Sequence, residues 1–223
     1  MMLQSIVLFH ILWGAIALFA GYAVIICNKG QTSHKYLGRT YVIAMLFLGL
    51  SGSYIAIIQK VPLSFLNGLV LCYFVLSALN TIWQPAKTIN KIDKQLFTFV
   101  CLLLIGFVWY AYQAAIAPSG QLGGFGVPAY VVFGSVILGC AIADFRYIRM
   151  GGKHGKSRLI RHLWRMFFPL FMSTAAFFFG QAKHLPMVLQ RIEFLIVPVL
   201  FVILTAIYWV AKTQFNFKVL GSQ

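Results

Sequence analysis

Negative charge is almost missing from this chain. Asp93, Asp144 and Glu193 are its only acidic residues among 223, against 18 Lys and Arg, and charged residues make up 9% of the sequence. A soluble domain carries about 25% charged residues, so an ordinary water-soluble globule is excluded. Cysteine is sparse too. Cys27, Cys72, Cys101 and Cys140 all lie in or at the end of apolar stretches, and none forms a C-x-x-C pair. A thiol-redox motif, a zinc knuckle and covalent haem attachment are therefore not indicated, and the four read as small buried apolar residues. The chain lacks a Gly-rich phosphate loop, a G-x-S-x-G turn and an H-E-x-x-H pair. No lysine stands within the last apolar stretch, which argues against a Schiff-base retinal protein.

What is abundant is apolar surface, at 61% hydrophobic residues. A helix needs about 20 apolar residues to cross a bilayer. Seven stretches qualify, at roughly 3–27, 40–58, 63–83, 96–116, 127–145, 163–182 and 192–211. The gaps between them are short, so neighbouring helices run antiparallel. The expected fold is all-α, a single-domain membrane bundle of about seven transmembrane helices spanning residues 1–223.

The net charge of +15 is organised by these stretches. Fifteen Lys and Arg fall at positions 29–39, 87–94, 146–165 and 212–218, in alternate gaps, while Lys60, Lys183 and Arg191 alone fall on the other side. Basic loops stay in the cytoplasm, which predicts an outside N-terminus and a cytoplasmic C-terminus. The first stretch has its basic residues after it rather than before it, unlike a cleaved signal peptide. Basic residues flanking apolar spans fit an anionic lipid surface rather than a nucleic acid, so membrane lipids are the expected partner. Trp83, Trp164, Trp209, Tyr36 and Tyr147 at the basic side, and Trp109, Tyr110, Tyr112 and Tyr130 at the other, form the expected aromatic belts. Small-x-x-x-small pairs at Ala17/Gly21, Gly49/Ser53, Ser135/Gly139 and Ala176/Gly180 offer close helix approach. Pro169 and Pro198 each remove a backbone donor inside a span.

Asp93 sits among lysines and is expected to be solvated, and Glu193 favours the start of the last helix. Asp144 differs, because an acid inside an apolar span is costly unless paired. Arg146 and Arg149 on its own helix, at i+2 and i+5, face it poorly. Its expected partners are Arg39, His34, Arg161 or Arg165 from elsewhere, as a structural ion pair or in a proton-handling role. Arg158, Arg161, His162 and Arg165 follow i, i+3, i+4, i+7 and share one helix face. That face suits a lipid phosphate or an anionic ligand, since Arg binds planar anions through two parallel donors.

His10 stands about two turns into the first span, His34 and His162 at the basic boundary, and His184 at the opposite one, while His154 lies in a Gly-rich loop. Haem b held by two histidines needs imidazoles from facing helices at matching depth. His10, His34 and His162 are the candidate cofactor ligands, with a structural hydrogen bond as the plain alternative. No catalytic residue and no further metal site is indicated.

The strings His34-Lys35-Tyr36-Leu37-Gly38-Arg39-Thr40-Tyr41, Arg161-His162-Leu163-Trp164-Arg165-Met166 and Phe177-Phe178-Phe179-Gly180-Gln181 resemble a family of bacterial multi-pass membrane proteins with no established activity. The resemblance covers nearly the whole chain. It implies a bacterial cytoplasmic (inner) membrane protein and gives weight to His34, Gly38, Arg39, Arg161, His162 and Arg165, though not to His184. Three functions stay open on these residues. One is a redox protein linked to haem b or quinone. The second is a small transporter or a binder of anionic lipid or solute, using Arg39, Asp144, Arg161 and Arg165. The third is an assembly or scaffold protein, with a membrane-protein partner or a second copy of itself.

Overall fold

A computed structural model describes residues 2–215; Lys218, counted above among the basic residues, lies outside the described residues. Seven long helices follow one another: α1 Met2–Ile26, α2 Thr32–Ile58, α3 Pro62–Trp83, α4 Lys91–Ile116, α5 Val127–Arg149, α6 Gly155–Gly180 and α7 Ile192–Phe215. All seven are long and apolar enough to cross a membrane. The chain is a multi-pass membrane protein of all-α architecture.

The helices exceed the apolar stretches, and nearly always at one end. α2 begins at Thr32 rather than Thr40, α4 at Lys91 rather than Leu96 and α6 at Gly155 rather than Leu163. α5 runs on to Arg149 and α7 to Phe215. Every one of these additions lies at the basic end of the bundle. Backbone hydrogen bonding continues through polar turns that a hydropathy window does not register. The extra turns of α6 carry Arg158, Arg161 and His162, so basic side chains sit on rigid helix rather than in a loop.

The opposite end is closed by a small hairpin. Gln121–Leu122 pairs antiparallel with Phe125–Gly126 across Gly123 and Gly124, both at positive φ, 60° and 82°. That conformation suits glycine and the tight turns of hairpins. A Cβ on Gly123 would meet the Lys60 carbonyl at 2.9 Å, so the hairpin rests on the α2–α3 turn.

α3 packs on α2, α4 and α6, while α6 also packs on α1 and α7. In its most apolar window α3 is 56% buried, against 17% for α1 and for α7, which makes it the central helix. One apolar core gathers Val70, Tyr73 and Phe74 of α3 with Val100, Phe107 and Ile137 of α4 and α5. A second gathers Ala17, Met45, Val75, Leu170 and Val202 of α1, α2, α3, α6 and α7. The α3–α6 seam lies between them.

The expected close approaches divide. A Cβ on Gly49 would lie 2.5 Å from the Gly68 carbonyl, and one on Gly68 would collide with Ser53 Oγ and the Gly49 carbonyl. The α2 and α3 backbones thus touch at this point. Gly21 likewise admits Leu170 and Tyr41, whereas Gly139 and Gly180 have no neighbour within 4 Å of an added Cβ. Tyr130 and Tyr147, expected in the aromatic belts, are buried instead. Tyr130 donates its hydroxyl proton to the Leu122 carbonyl at 3.1 Å. Overpacking a close contact costs about 1–3 kcal/mol. Gly68→Val is therefore expected to lower the melting temperature of the detergent-purified protein by several degrees, with Gly139→Ala unchanged; equal melting of the two would contradict a Gly49–Gly68 contact.

Candidate functional site

The basic face of α6 is turned inward onto α3, residue by residue. Arg158 donates through Nε to the Thr81 carbonyl at 2.8 Å, and through Nη2 to the carbonyls of Ile82 at 2.8 Å and Gln84 at 2.5 Å. These belong to the last turn and cap of α3, whose carbonyls have no partner within the helix and carry the negative end of its dipole. One turn on, His162 donates from Nδ1 to the Ala78 carbonyl at 3.0 Å. A carbonyl only accepts, so this bond places the proton on Nδ1 of the neutral ring.

Arg161 and Arg165 converge on Asp144 of α5. Arg161 Nη1 lies 2.8 Å and Arg165 Nη2 2.5 Å from the same oxygen, Oδ1. The second oxygen, Oδ2, accepts the Tyr73 hydroxyl at 2.5 Å. Tyr73 in turn accepts from Arg165 Nη1 at 2.9 Å. Ser77 Oγ accepts from both guanidiniums, at 3.3 Å from Arg161 and at shorter range from Arg165. Arg161 Nε donates to Thr81 Oγ1 at 3.1 Å. The Arg161 guanidinium lies 4.0 Å from the Tyr147 ring centroid, and that of Arg165 lies 4.9 Å from Trp164. Asp144, Arg161 and Arg165 are 2%, 4% and 0% exposed, so the group is out of contact with solvent.

Its charge does not balance, because two guanidiniums share one carboxylate. Arg165 Nε, fully buried, has no hydrogen-bond partner, and neither has Gln84 Oε1 nearer the basic end. A further cation adjoins the group. Lys153, in the α5–α6 loop, is half-buried and lies in the field of Arg161, Arg165 and Asp144. Burial pushes its ammonium below the ordinary lysine range, the two arginines push it the same way, and Asp144 opposes them.

The expected site residues are thus partly assembled. Asp144, Arg161 and Arg165 come together, with Arg146 exposed and Arg149 set against the Phe145 ring at 5.5 Å. Arg39 is a correction: it lies on an exposed turn of α2 with no ion pair to Asp144, so it does not join the cluster. Asp93 is a second correction. Far from solvated, it is 5% exposed. It receives Asn80 Nδ2 at 2.7 Å and exchanges backbone and side-chain bonds with Asn90 as a capping box at the start of α4. Glu193 pairs with Arg191 at 3.3 Å on the surface.

The three candidate cofactor histidines are split. Ser51 donates its own proton to the Phe47 carbonyl at 2.6 Å, so its oxygen accepts the proton of His10 Nδ1 at 2.9 Å. The His10 ring lies against Gly52, where an added Cβ would meet it at 3.0 Å. At about 1.5 Å per residue, His10 stands about 24 Å from the basic end of α1 and His162 about 10 Å from that end of α6, so they cannot share a planar ligand. His34 is on the first turn of α2, with Nδ1 3.9 Å from Cys27 Sγ. It is an electrostatic neighbour of His162. His184 is exposed on a short 3-10 turn at the far end. Among the described residues, no three His, Cys, Asp or Glu side chains come close enough to hold a metal ion.

Sequence reasoning missed the α3 half of the site. Tyr73, Ser77, Asn80, Thr81 and Gln84 recur at i, i+4, i+7, i+8 and i+11, one polar stripe in an apolar span. That spacing was available as a signal, but uncharged hydroxyls in a span draw little notice. No protein family, curated protein or solved structure matches the chain.

Removing one partner of a buried ion pair costs about 3–5 kcal/mol, and a hydrogen bond to a charged group contributes about 1.5–3 kcal/mol. Asp144→Asn is therefore expected to lower the melting temperature more than Tyr73→Phe, measured on purified protein. The reverse order would show that the carboxylate is not the centre of the group.

Proposed function

We propose that this protein lies in a bacterial inner membrane, N-terminus outside and C-terminus cytoplasmic, and binds a small anion at the Arg161–Arg165 group. Basic loops mark the cytoplasmic side, which supports the orientation. One observation carries the function: a fully buried guanidinium, Arg165, keeps an unpartnered Nε–H beside a carboxylate already shared with a second guanidinium. Excess cationic charge at this depth is costly. An anion accepting from Arg165 Nε would both satisfy the donor and lower the net charge. Equilibrium dialysis of the purified protein against radiolabelled chloride, sulfate and phosphate tests this. Retention of at least one anion is expected, with loss in Arg165→Gln and in the milder Arg161→Lys, which keeps its charge but not its fork. Folded wild-type protein that retains none of the three would refute the reading.

A second reading rests on His162 and His34. A ligating histidine usually donates its other ring N–H to a carbonyl or carboxylate, which fixes the ring and aims the remaining nitrogen. His162 meets that condition through Ala78, and His34 is the neighbouring imidazole. These two would hold a haem b, which when bound would supply one-electron redox chemistry. His10 does not fit with them. Oxidised and dithionite-reduced absorption spectra, after expression with haem supplied, decide it. A Soret band lost in His162→Ala supports haem, and a protein-only spectrum removes it.

A further inference from the structure

The α5–α6 loop is built to hold one lysine in place. α5 ends in a Schellman arrangement, with Gly152 N–H bonded to the Tyr147 carbonyl at 3.0 Å and Gly151 N–H to the Ile148 carbonyl at 3.1 Å. Gly151 and Gly152 take φ of 69° and 97°, a region that favours glycine. A Cβ on Gly152 would meet the Thr88 carbonyl at 2.6 Å, so the loop lies directly on the α3–α4 connection. Lys87 N–H then bonds to the Lys153 carbonyl at 3.2 Å. The backbone of Lys153 is thereby tied down on both sides, and its side chain is half-buried in the field of Arg161, Arg165 and Asp144.

Tyr147 on α5, whose ring faces Arg161, also lies in the field of Asp93 on α4 and Arg158 on α6. Arg158 is engaged by the end of α3, and Asp93 by Asn80 and Asn90. Three cations, Lys153, Arg161 and Arg165, thus share one carboxylate, Asp144. The excess is two positive charges, with the unpartnered Arg165 Nε at its deep end and Lys153 at its outer end.

We propose that the anion is a doubly charged oxyanion of the phosphate class, either free phosphate or a phosphomonoester headgroup, which reaches Arg161 and Arg165 from the basic end past Lys153. This rests on the anion-binding reading and deepens it. A dianion cancels the excess where a halide leaves half of it, and several oxygens can accept from Arg and Lys donors that point from different sides. Lys153 is here a selectivity residue: it supplies the charge that separates a dianion from a monoanion.

The test is binding of radiolabelled inorganic phosphate to full-length protein in a neutral detergent at constant ionic strength. Sulfate is expected to displace it, with nitrate and chloride ineffective at the same concentration. Lys153→Gln is expected to weaken phosphate about tenfold, the size of one charge-assisted hydrogen bond, and Lys153→Arg to restore most of it. Micelles doped with phosphatidic acid separate the two sources. Displacement of phosphate by phosphatidic acid at mole fractions where phosphatidylglycerol, a monoanion, has no effect points to a headgroup. Failure of both lipids to displace it points to free phosphate. Nitrate and chloride displacing as well as sulfate would overturn the dianion while leaving anion binding intact. Undiminished phosphate binding in Lys153→Gln would overturn the role of Lys153. No binding of phosphate, sulfate, nitrate or chloride would overturn both this inference and the reading beneath it.

Discussion

A single carboxylate organises the interior of this bundle. Asp144 takes two guanidiniums on one oxygen and a phenol on the other, and so ties α5 to α6 and to α3 at one depth. In a bilayer the apolar surfaces of helices gain little by preferring one another to lipid. Directional polar contacts and close backbone approaches must then specify which helices meet. Asp144 supplies the first kind along the α3–α6 seam, and Gly49 and Gly68 the second between α2 and α3. Because the two apolar cores meet at that seam, the depth set there is passed to both.

Much of this was legible in the sequence, for different reasons. Seven apolar stretches and alternating charge are long-range averages, and they survive errors at single residues. Helix geometry set aside Arg146 and Arg149 as partners of Asp144 and left Arg39, His34, Arg161 and Arg165, of which the structure pairs the last two with it. The helix ends were not legible. Hydropathy describes side chains, while helices end where backbone partners run out, so α6 starts eight residues before its apolar stretch. Asp93 was misjudged because its neighbours in sequence are lysines. Its capping partner Asn90 was adjacent and readable, but the burial comes from Asn80 on α3, which no local pattern announces. Arg39 was grouped with the cluster on its side of the membrane alone. Its place on the exposed surface of α2 depends on how that helix is rotated.

The histidines illustrate how little a residue type fixes by itself. His10 and His162 are both intramembrane and both held through Nδ1, yet their partners differ in kind. Ser51 is a neighbouring side chain whose own proton is already committed, so His10 completes a local α1–α2 link. Ala78 is a helix carbonyl that can accept a second bond without losing its first, so the contact of His162 costs α3 nothing and orients the ring. Depth then separates them further, since a planar cofactor cannot span positions about 14 Å apart along the bundle axis.

The unequal charge is the feature that packing alone leaves unexplained. A structural lock could be made from one arginine and one aspartate. The second guanidinium adds the desolvation cost of an ion, several kcal/mol even after relaxation. Partial compensation comes from aromatic faces, Tyr147 for Arg161 and Trp164 for Arg165. Such contacts contribute about 0.5–2 kcal/mol each, and Ser77 and Thr81 add hydroxyl acceptors. These offset part of the cost but leave a donor on Arg165 unused. A site that holds more positive charge than its own residues neutralise has free energy to gain from an anion, and that gain grows with burial because the surrounding dielectric is low. The same imbalance is what would make an anion bind there.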